Sequence, residues 1–341
     1  MRFATYNIEW MNALFDDHNR PMPDEKWSSR YKVTRSEQLG ALRVVFEAMD
    51  ADAVMVIEAP DGSNRRDTVA ALEAFAAWVG LRTRAAVRGF VNDTQQEIAL
   101  LYDPDMLAAR HDPQGPITGS AGRGDAPRFD GIFRIDLDID ATEDLVRFSK
   151  PPLELAIETA SGFEMRMIGA HLKSKAPHGA ENHDEIMRIS IANRRKQLAQ
   201  AIWLRQRVTQ HLNDKIPLVV LGDLNDGPGL DEFEHLFGRS SVEIVIGQDG
   251  AGTLFDPHAE RALLRKLGAT PTTARFYIHE EKRYLQALLD YIMVSPDLGA
   301  LDPVWRIWHP FDDPDCWTRP ELRDALIAAS DHFPVTLDIT L

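Results

Sequence analysis

Polar side chains stand at the ends of apolar, strand-like runs in five places along the chain, where loops of a layered α/β fold build binding and catalytic sites. Carboxylate oxygens are the ligands that Mg²⁺ prefers, with Mn²⁺ as a substitute, and imidazole or amide groups can hold phosphate oxygens. A carboxylate can also orient or deprotonate water. The pattern indicates a divalent metal acting on a phosphate. The residues are Asn7 and Glu9 in YNIEW, Glu58 in MVIEAP, His171 and Lys173 in AHLKSK, Asp223 and Asn225 in LGDLND, and Asp290 with Asp331 and His332.

Each feature also has an interpretation that involves no chemistry. A single glutamate at a strand end, such as Glu58, is more often a solvated loop residue, and Gly-Asp after an apolar strand is usually a turn. Ser-Asp-His before an apolar run can simply cap the element that follows. The chemical interpretation therefore depends on all five features occurring in one chain.

The elements that would position these residues alternate along the whole sequence. The first is a strand over Arg2 to Trp10, and a helix with apolar spacing from Leu39 to Met49 follows a Thr34 cap. A second helix is predicted over 67–79, and a long one over about 184–211. With no evident linker, we predict one α/β domain over residues 1–341. Further strands are predicted at 52–58, 98–102, 132–139, 153–158, 163–170, 217–222, 288–294 and 333–339.

Composition limits the class of protein. The 341 residues are 44% hydrophobic and 27% charged, which suits a globular protein and excludes disorder of the whole chain. Against 38 Lys and Arg stand 53 Asp and Glu, so the net charge of −15 repels polyphosphates and anionic membranes at long range. A general nucleic-acid coat protein is therefore not expected. Clustered carboxylates could still hold a cation that reverses the local field.

Compartment and partners are also constrained. The single cysteine, Cys316, cannot form an internal disulfide, and one cysteine is too few for a zinc site built from thiolates. The N-terminal segment has no apolar region of the kind found in signal peptides, and no apolar run is long enough to span a membrane. We expect a cytoplasmic protein without an obligate protein partner.

The motifs occur in the order and wording of a known superfamily. The most specific combination is GDLND at 222–226 with SDHFPV at 330–335, supported by LLDYIMVS at 288–295. On these motifs the chain resembles the endonuclease/exonuclease/phosphatase (deoxyribonuclease I-like) superfamily over nearly its whole length. The resemblance implies an α/β fold, a four-layer sandwich of two packed mixed β-sheets flanked by helices.

The resemblance also implies roles at the metal. Glu58 is similar to the principal magnesium ligand of the superfamily, with Glu9 and Asp331 near the metal directly or through water. Asn7 would support these metal ligands and contact the substrate. Lys150 in FSKPPLEL stands where several members have arginine, so it would keep the charge on the substrate phosphate but lose the bidentate fork.

Further roles concern the reaction itself. Asp223 would orient or deprotonate the attacking water, and Asn225 would bind the phosphate or position Asp223. His332 would contact the scissile phosphate or transfer a proton, with Asp290 fixing its tautomer. His171 matches a second active-site histidine, and Lys173 would be a local basic group for substrate capture.

Several alternatives remain open in the sequence. Either Gln96 or Glu97 could stand behind His171. The loop from Phe15 to Arg35, with Trp27 and Tyr31, could wall a substrate pocket or be a plain surface insertion. A second metal site is conceivable at His178, Glu181, His183 and Asp184, although a solvated loop is favoured there.

Three functions follow from these observations. The leading one is a magnesium-dependent phosphodiesterase, nuclease-like on DNA or RNA. The acidic balance favours the second, a hydrolase of a small phosphodiester or phosphomonoester such as a nucleotide or lipid headgroup. The third is an inactive binding protein on the same fold, which would be expected to lack metal-site or base carboxylates, and this chain has them.

Overall fold

The computed structural model describes residues 1–63, 65–137, 143–177, 179, 182–227, 238–247, 252–264, 270–278 and 282–341. His178, Glu181 and the side chain of His183 lie outside the described residues, so the second metal site stays a hypothesis.

Two β-sheets form the centre of the molecule, and each is mixed. The strands are β1 (Arg2–Asn7), β2 (Ala53–Ala59), β3 (Ala85–Arg88), β4 (Glu97–Tyr102), β5 (Leu107–His111), β6 (Phe133–Ile135), β7 (Asp144–Val146), β8 (Leu153–Thr159), β9 (Glu164–His171), β10 (Leu218–Asp223), β11 (Ala274–Ile278), β12 (Arg283–Ala287), β13 (Asp290–Val294), β14 (Val304–Ile307) and β15 (Val335–Asp338). The first sheet has the order β14-β15-β1-β2-β4-β3, and the second has β13-β10-β9-β8-β5. Only β1 with β2 and β10 with β9 pair in parallel within these sheets.

Helices cover the outer faces of the two sheets. They are α1 (Arg35–Met49), α2 (Thr68–Val79), α3 (His183–Asn213), α4 (Ser241–Ile246), α5 (Pro257–Leu263), α6 (Pro296–Gly299), α7 (Pro314–Thr318) and α8 (Pro320–Ala329), with a 3₁₀ turn at Met11–Leu14. A core on the outer side of the first sheet joins it to α1, α2 and α8. A second core joins the second sheet to α3, α4 and α5. A third core, which includes Met55, Leu155 and Ile292, lies between the sheets. The predicted four-layer α/β sandwich is confirmed.

Local sequence explains the helix boundaries near the site. Thr34 caps α1 through a capping box, because its hydroxyl accepts from the Glu37 amide while the Glu37 carboxylate accepts from the Thr34 amide. Asp67 caps α2 at its start, and Gly80, with φ of 86°, ends it in the left-handed conformation that glycine adopts without a Cβ clash. These caps determine where α1 and α2 begin and where α2 ends, and so where the chain returns to the sheet.

The strand predicted over 132–139 is shorter in the structure. Of its described part, only Phe133–Ile135 is a strand, and it pairs with β7. Strand β8 pairs with β5 and β9. The Phe133 ring stacks on Trp203 of α3, with ring centroids 5.3 Å apart, so the apolar side of this segment is buried against the helix.

Candidate active site

Three predicted residues lie side by side at the end of the second sheet. Asp223 ends β10 and is paired in register with His171 of the parallel neighbour β9 and with Asp290 of the antiparallel neighbour β13. Residues directly opposite each other on adjacent strands point to the same face, so the three side chains are held together by the backbone ladder. All three are buried.

The first sheet supplies a second group at the same level. Asn7 ends β1 opposite Ile57 of the parallel strand β2. Glu58 follows Ile57 in β2. Its backbone has a φ of 62°, and it lies at an irregularity in the pairing of β2 with β4. Such a bulge redirects a side chain, and the Glu58 carboxylate accepts a 3.4 Å hydrogen bond from the Trp10 amide. Its burial raises the pKa of Glu58.

Ser330 connects the turn before β15 to the end of β1. Its hydroxyl donates to the Asn7 carbonyl at 2.7 Å and accepts from the amides of Glu9 at 3.3 Å and His332 at 3.1 Å. One buried hydroxyl thereby joins two segments of the site, the end of β1 and the turn before β15. We did not assign Ser330 a role from the sequence, although it begins the SDHFPV motif.

Asp223 joins the two sheets chemically. Its carboxylate accepts from the Asn7 side chain at 3.0 Å, from the Asn225 amide at 2.7 Å and from the Asn225 side chain at 3.2 Å. His171 Nε2 lies 3.5 Å and His332 Nε2 lies 4.0 Å from the same carboxylate. Burial raises the pKa of Asp223, and the His332 charge opposes that rise. A carboxylate in this position can accept a proton near neutral pH.

His332 is oriented by Asp290. His332 Nδ1 and Asp290 Oδ2 are 2.8 Å apart, which leaves Nε2 pointing toward Asp223 and the cavity. Burial lowers the pKa of His332, but the Asp290 charge and hydrogen bond outweigh it, so the net pKa lies well above the ordinary value. The ring therefore favours the protonated form, which donates at both nitrogens.

His171 is paired with Lys150. Its Nε2 lies 3.5 Å from the Lys150 ammonium nitrogen, and burial lowers the pKa of both groups. Among the described residues, no hydrogen bond joins His171 Nδ1 to another group. Gln96 lines the cavity, whereas the Glu97 carboxylate accepts from the Gly62 and Asn92 amides. Neither residue therefore fixes His171 directly.

Lys173 is held by the long helix α3. The side-chain oxygen of Gln200 accepts from the Lys173 amide at 2.9 Å, and Gln197 Nε2 donates to the carbonyls of Lys173 at 2.8 Å and Asn225 at 2.9 Å. We did not predict these two buried glutamines. Gln197 and Gln200 are three residues apart and so lie on one face of the helix. Two polar residues on an otherwise apolar face were the sequence feature that could have predicted a buried polar contact.

The predicted residues surround one cavity of about 600 Å³. Every predicted site residue except Asp290 lines it, and Asp290 lies behind His332. Within it, burial raises the pKa of Glu9 to about 8, with the nearby Asp331 carboxyl adding to the rise. An ion pair with Arg30, which we did not predict as a site residue, offsets part of this charge.

The donor set of this cavity suits a hard divalent cation. Glu9, Glu58 and Asp331 offer carboxylate oxygens, and the buried Asn7 Oδ1 has no hydrogen-bond partner among the described residues. Burial raises the pKa of Glu9 and Glu58, and a divalent cation would offset the negative charge of their ionised forms. The residues present therefore fit Mg²⁺.

A second group could also hold a metal. Ligand atoms of Asp223, Asp290 and His332 all lie within 4.8 Å of one another. Metal binding through His332 would require a neutral imidazole, however, and the raised pKa of this ring favours the protonated form.

Comparison with known proteins agrees with this site. The model of the Endonuclease/Exonuclease/phosphatase family matches residues 4–332. The chain belongs to this family. Family membership, together with the buried acid and histidine cluster, makes it a metal-dependent phosphoester hydrolase. This finding does not agree with the alternative of an inactive binding protein.

Solved structures support the same fold at low sequence identity. A mannosyl-6-phosphatase of Bacteroides thetaiotaomicron is 14% identical with a TM-score of 0.50, each chain being covered fully. TDP2 of D. rerio, complexed with single strand DNA product, is 12% identical with a TM-score of 0.50 over 100% of this chain and 99% of that one. A B. thetaiotaomicron family protein is 15% identical with a TM-score of 0.50, over 100% and 98%. No curated protein sequence matches the chain.

Within the part of the chain that the structure describes, no helix is both long and apolar enough to cross a bilayer.

Proposed function

We propose that the protein is a magnesium-dependent phosphodiesterase that hydrolyses phosphodiester bonds in a nuclease-like manner, on DNA or RNA, with residues 1–341 acting as one domain. The observation that carries the proposal is the position of Asp223. Its carboxylate is fixed by Asn7 and Asn225, lies beside His171 and His332, and faces a cavity lined with carboxylates. This arrangement suits activation of a water molecule next to a bound phosphate.

Glu9, Glu58 and Asp331 would hold the Mg²⁺. When bound, the ion supplies positive charge that offsets the non-bridging phosphate oxygens, where charge concentrates as water attacks. Lys150, Lys173 and Asn7 would contact those oxygens from the same cavity. His171, whose pKa is lowered well below its ordinary value, would serve as a neutral hydrogen-bonding group.

Proton transfer would involve Asp223 and His332. Asp223 takes a proton from the attacking water while the water oxygen forms a bond to phosphorus and the ester P–O bond breaks. His332, protonated beside Asp290, donates to the phosphate or to the departing oxygen. The products are a phosphomonoester and an alcohol. Asn225 keeps the Asp223 carboxylate in place through two hydrogen bonds.

A second candidate is hydrolysis of a small phosphodiester or phosphomonoester, such as a nucleotide. The net charge of −15 favours it, because proteins that hold long nucleic acids present a basic surface. Arg30, close to the cavity, is also paired with Glu9 and offers little attraction to a distant polyanion. Salt dependence distinguishes the two, because cleavage of a polymer falls steeply with added salt and turnover of a small ester changes little.

The test is an activity panel with supercoiled plasmid, single-stranded RNA, a chromogenic diester and a chromogenic monoester, each with Mg²⁺, Mn²⁺ or chelator. We expect metal-dependent cleavage that is lost in Asp223→Asn and is reduced in Glu58→Gln at a fixed Mg²⁺ concentration. The matched controls are Glu47→Gln and Asp297→Asn, both exposed. Absence of activity on every substrate by folded wild-type protein would refute the proposal. Activity that survives chelation would refute the metal-dependent mechanism.

A further inference from the structure

A second cavity opens beside the proposed metal site. This cavity, which we call the aromatic groove, has a volume of about 630 Å³ and lies between the loop at 30–33, the β11–β12 hairpin and the segment from Asp324 to Phe333. Glu9 and Asp331 line both the groove and the active-site cavity. A substrate whose phosphate lies against these two carboxylates can therefore extend directly into the groove.

Three tyrosines give the groove flat walls. The exposed fractions are 72% for Tyr31, 43% for Tyr277 and 49% for Tyr284. Tyr277 and Tyr284 are cross-strand partners in the hairpin, with ring centroids 5.1 Å apart. Clustered exposed aromatic surface beside a reactive site marks a binding site. Flat rings of this kind are suited to stacking against another planar group.

Arg275 adds a polar function to these walls. Its guanidinium carbon lies 3.4 Å from the centroid of the Tyr284 ring, and both residues line the groove. The Arg275 Nε is buried and has no hydrogen-bond acceptor among the described residues. A planar ligand with acceptor atoms on its ring edge would stack on the tyrosines and accept from the Arg275 guanidinium that lines the groove.

The wall formed by the hairpin is fixed to the reaction site. The Arg275 amide donates to the Asp331 carbonyl at 2.7 Å, and the Phe333 amide donates to the Thr273 carbonyl at 2.6 Å. The Phe276 ring packs edge-on against His332, with centroids 5.8 Å apart. The stacking surface is therefore held at a constant offset from the proposed metal ligand and the proposed proton donor.

The charges that line the groove argue against a second phosphate there. Glu9 and Asp331 are assigned to the metal, and Arg30 is paired with Glu9. The remaining carboxylates, Glu37 and Asp324, balance the cations Lys32 and Arg275, so the described residues of the groove form no basic patch. An uncharged planar group with acceptor atoms fits this surface better than a polyanion does.

We propose that the aromatic groove binds the nucleobase attached to the phosphate in the active site, and so selects nucleotide-type phosphoesters. The inference rests on the proposed hydrolysis at the neighbouring cavity. Stacking of one base on aromatic side chains corresponds to about 5- to 150-fold in affinity. Tyr31, Tyr277, Tyr284 and Arg275 would supply this selectivity.

The test compares two inhibitors that differ only in the base. Thymidine 5′-monophosphate and deoxyribose 5-phosphate are titrated against turnover of methyl p-nitrophenyl phosphate with Mg²⁺. In the wild type we expect the inhibition constant of the nucleotide to be lower by about 5- to 150-fold. The ratio should approach one in Tyr31→Ala combined with Tyr284→Ala, and should persist in the Phe versions. Trp78→Ala, which removes an exposed aromatic residue on α2, is the matched control and should keep the wild-type ratio.

Two results would overturn the inference. They are equal inhibition constants of the nucleotide and the sugar phosphate in the wild type, and a ratio that is unchanged in the double variant. If the wild type turns over neither this ester nor any substrate of the activity panel, the proposed function fails. Calorimetric titration of the same two phosphates then still measures the ratio, so the two failures are distinguishable.

Discussion

Replacing Asp290 with asparagine should uncouple His332 while preserving shape. The pair is 2.8 Å apart and both side chains are buried, so solvent does not replace the lost interaction. A hydrogen bond to a charged group contributes about 1.5–3 kcal/mol. If His332 acts in its protonated form, Asp290→Asn should lower kcat/KM by about 10- to 150-fold at neutral pH.

The sign of the accompanying pH effect follows from the pKa of His332. Asp290 raises this pKa, so the protonated ring persists to higher pH and is lost as the pH rises through it. In Asp290→Asn the pKa falls, and the alkaline decline of kcat/KM should move to lower pH. Asp297→Asn, an exposed change seven residues away, is the control and should leave the profile in place.

The assay is a profile of kcat/KM for a chromogenic diester between pH 5.5 and 9.5, with circular dichroism confirming that the variant folds. A decrease below about threefold would refute the importance of the pair, since the expected loss is at least about tenfold. A profile that moves toward higher pH would refute the protonated role of His332 and favour exchange of the acid and base roles with Asp223.

Three further predictions concern the metal and the fold. Glu58→Gln should raise the Mg²⁺ concentration for half-maximal activity by about tenfold or more, measured by metal titration with Glu47→Gln as control. The pKa of Glu9 is raised to about 8, so below that pH a cation must displace the proton of this carboxyl. Mg²⁺ affinity measured by calorimetry should therefore increase from pH 6 to 8. An affinity that does not depend on pH would contradict this. Asp226→Ala should lower the free energy of unfolding, measured in urea titrations, by about 3–5 kcal/mol. The reason is that buried Asp226 pairs with Lys175 at 2.5 Å and accepts from the Ser241 amide. A loss under about 1 kcal/mol would show that the pair is not important for stability.

Sequence predicts most of the strands that carry the site, because a buried strand leaves a clear apolar run. The run before Asp223 is fully apolar, and β10 ends at Asp223 itself. The helix expected over about 184–211 lies over His183–Asn213. Motifs at strand ends also predicted that Asn7, Glu58, Asp223 and His332 belong to one site, and these residues line one cavity.

Sequence did not predict the contacts that depend on tertiary packing. The β11–β12 hairpin was missed, because five-residue strands with mixed polar and aromatic residues give a weak alternation signal. The Arg30–Glu9 pair joins residues 21 apart across a loop, and no local pattern specifies that approach. The same holds for Gln197, whose partners Lys173 and Asn225 lie on two other segments.

The distance between the sheets is what makes the candidate site possible. Asn7 belongs to one sheet and Asp223 to the other, yet their side chains are 3.0 Å apart. Close approach requires small residues in the core between them, and a Cβ added at Gly169, two residues before His171, would lie 2.4 Å from the Met55 sulfur. Close-packed interiors transmit such a displacement instead of absorbing it. The inter-sheet core therefore determines the reaction geometry, although none of its apolar residues carries chemistry.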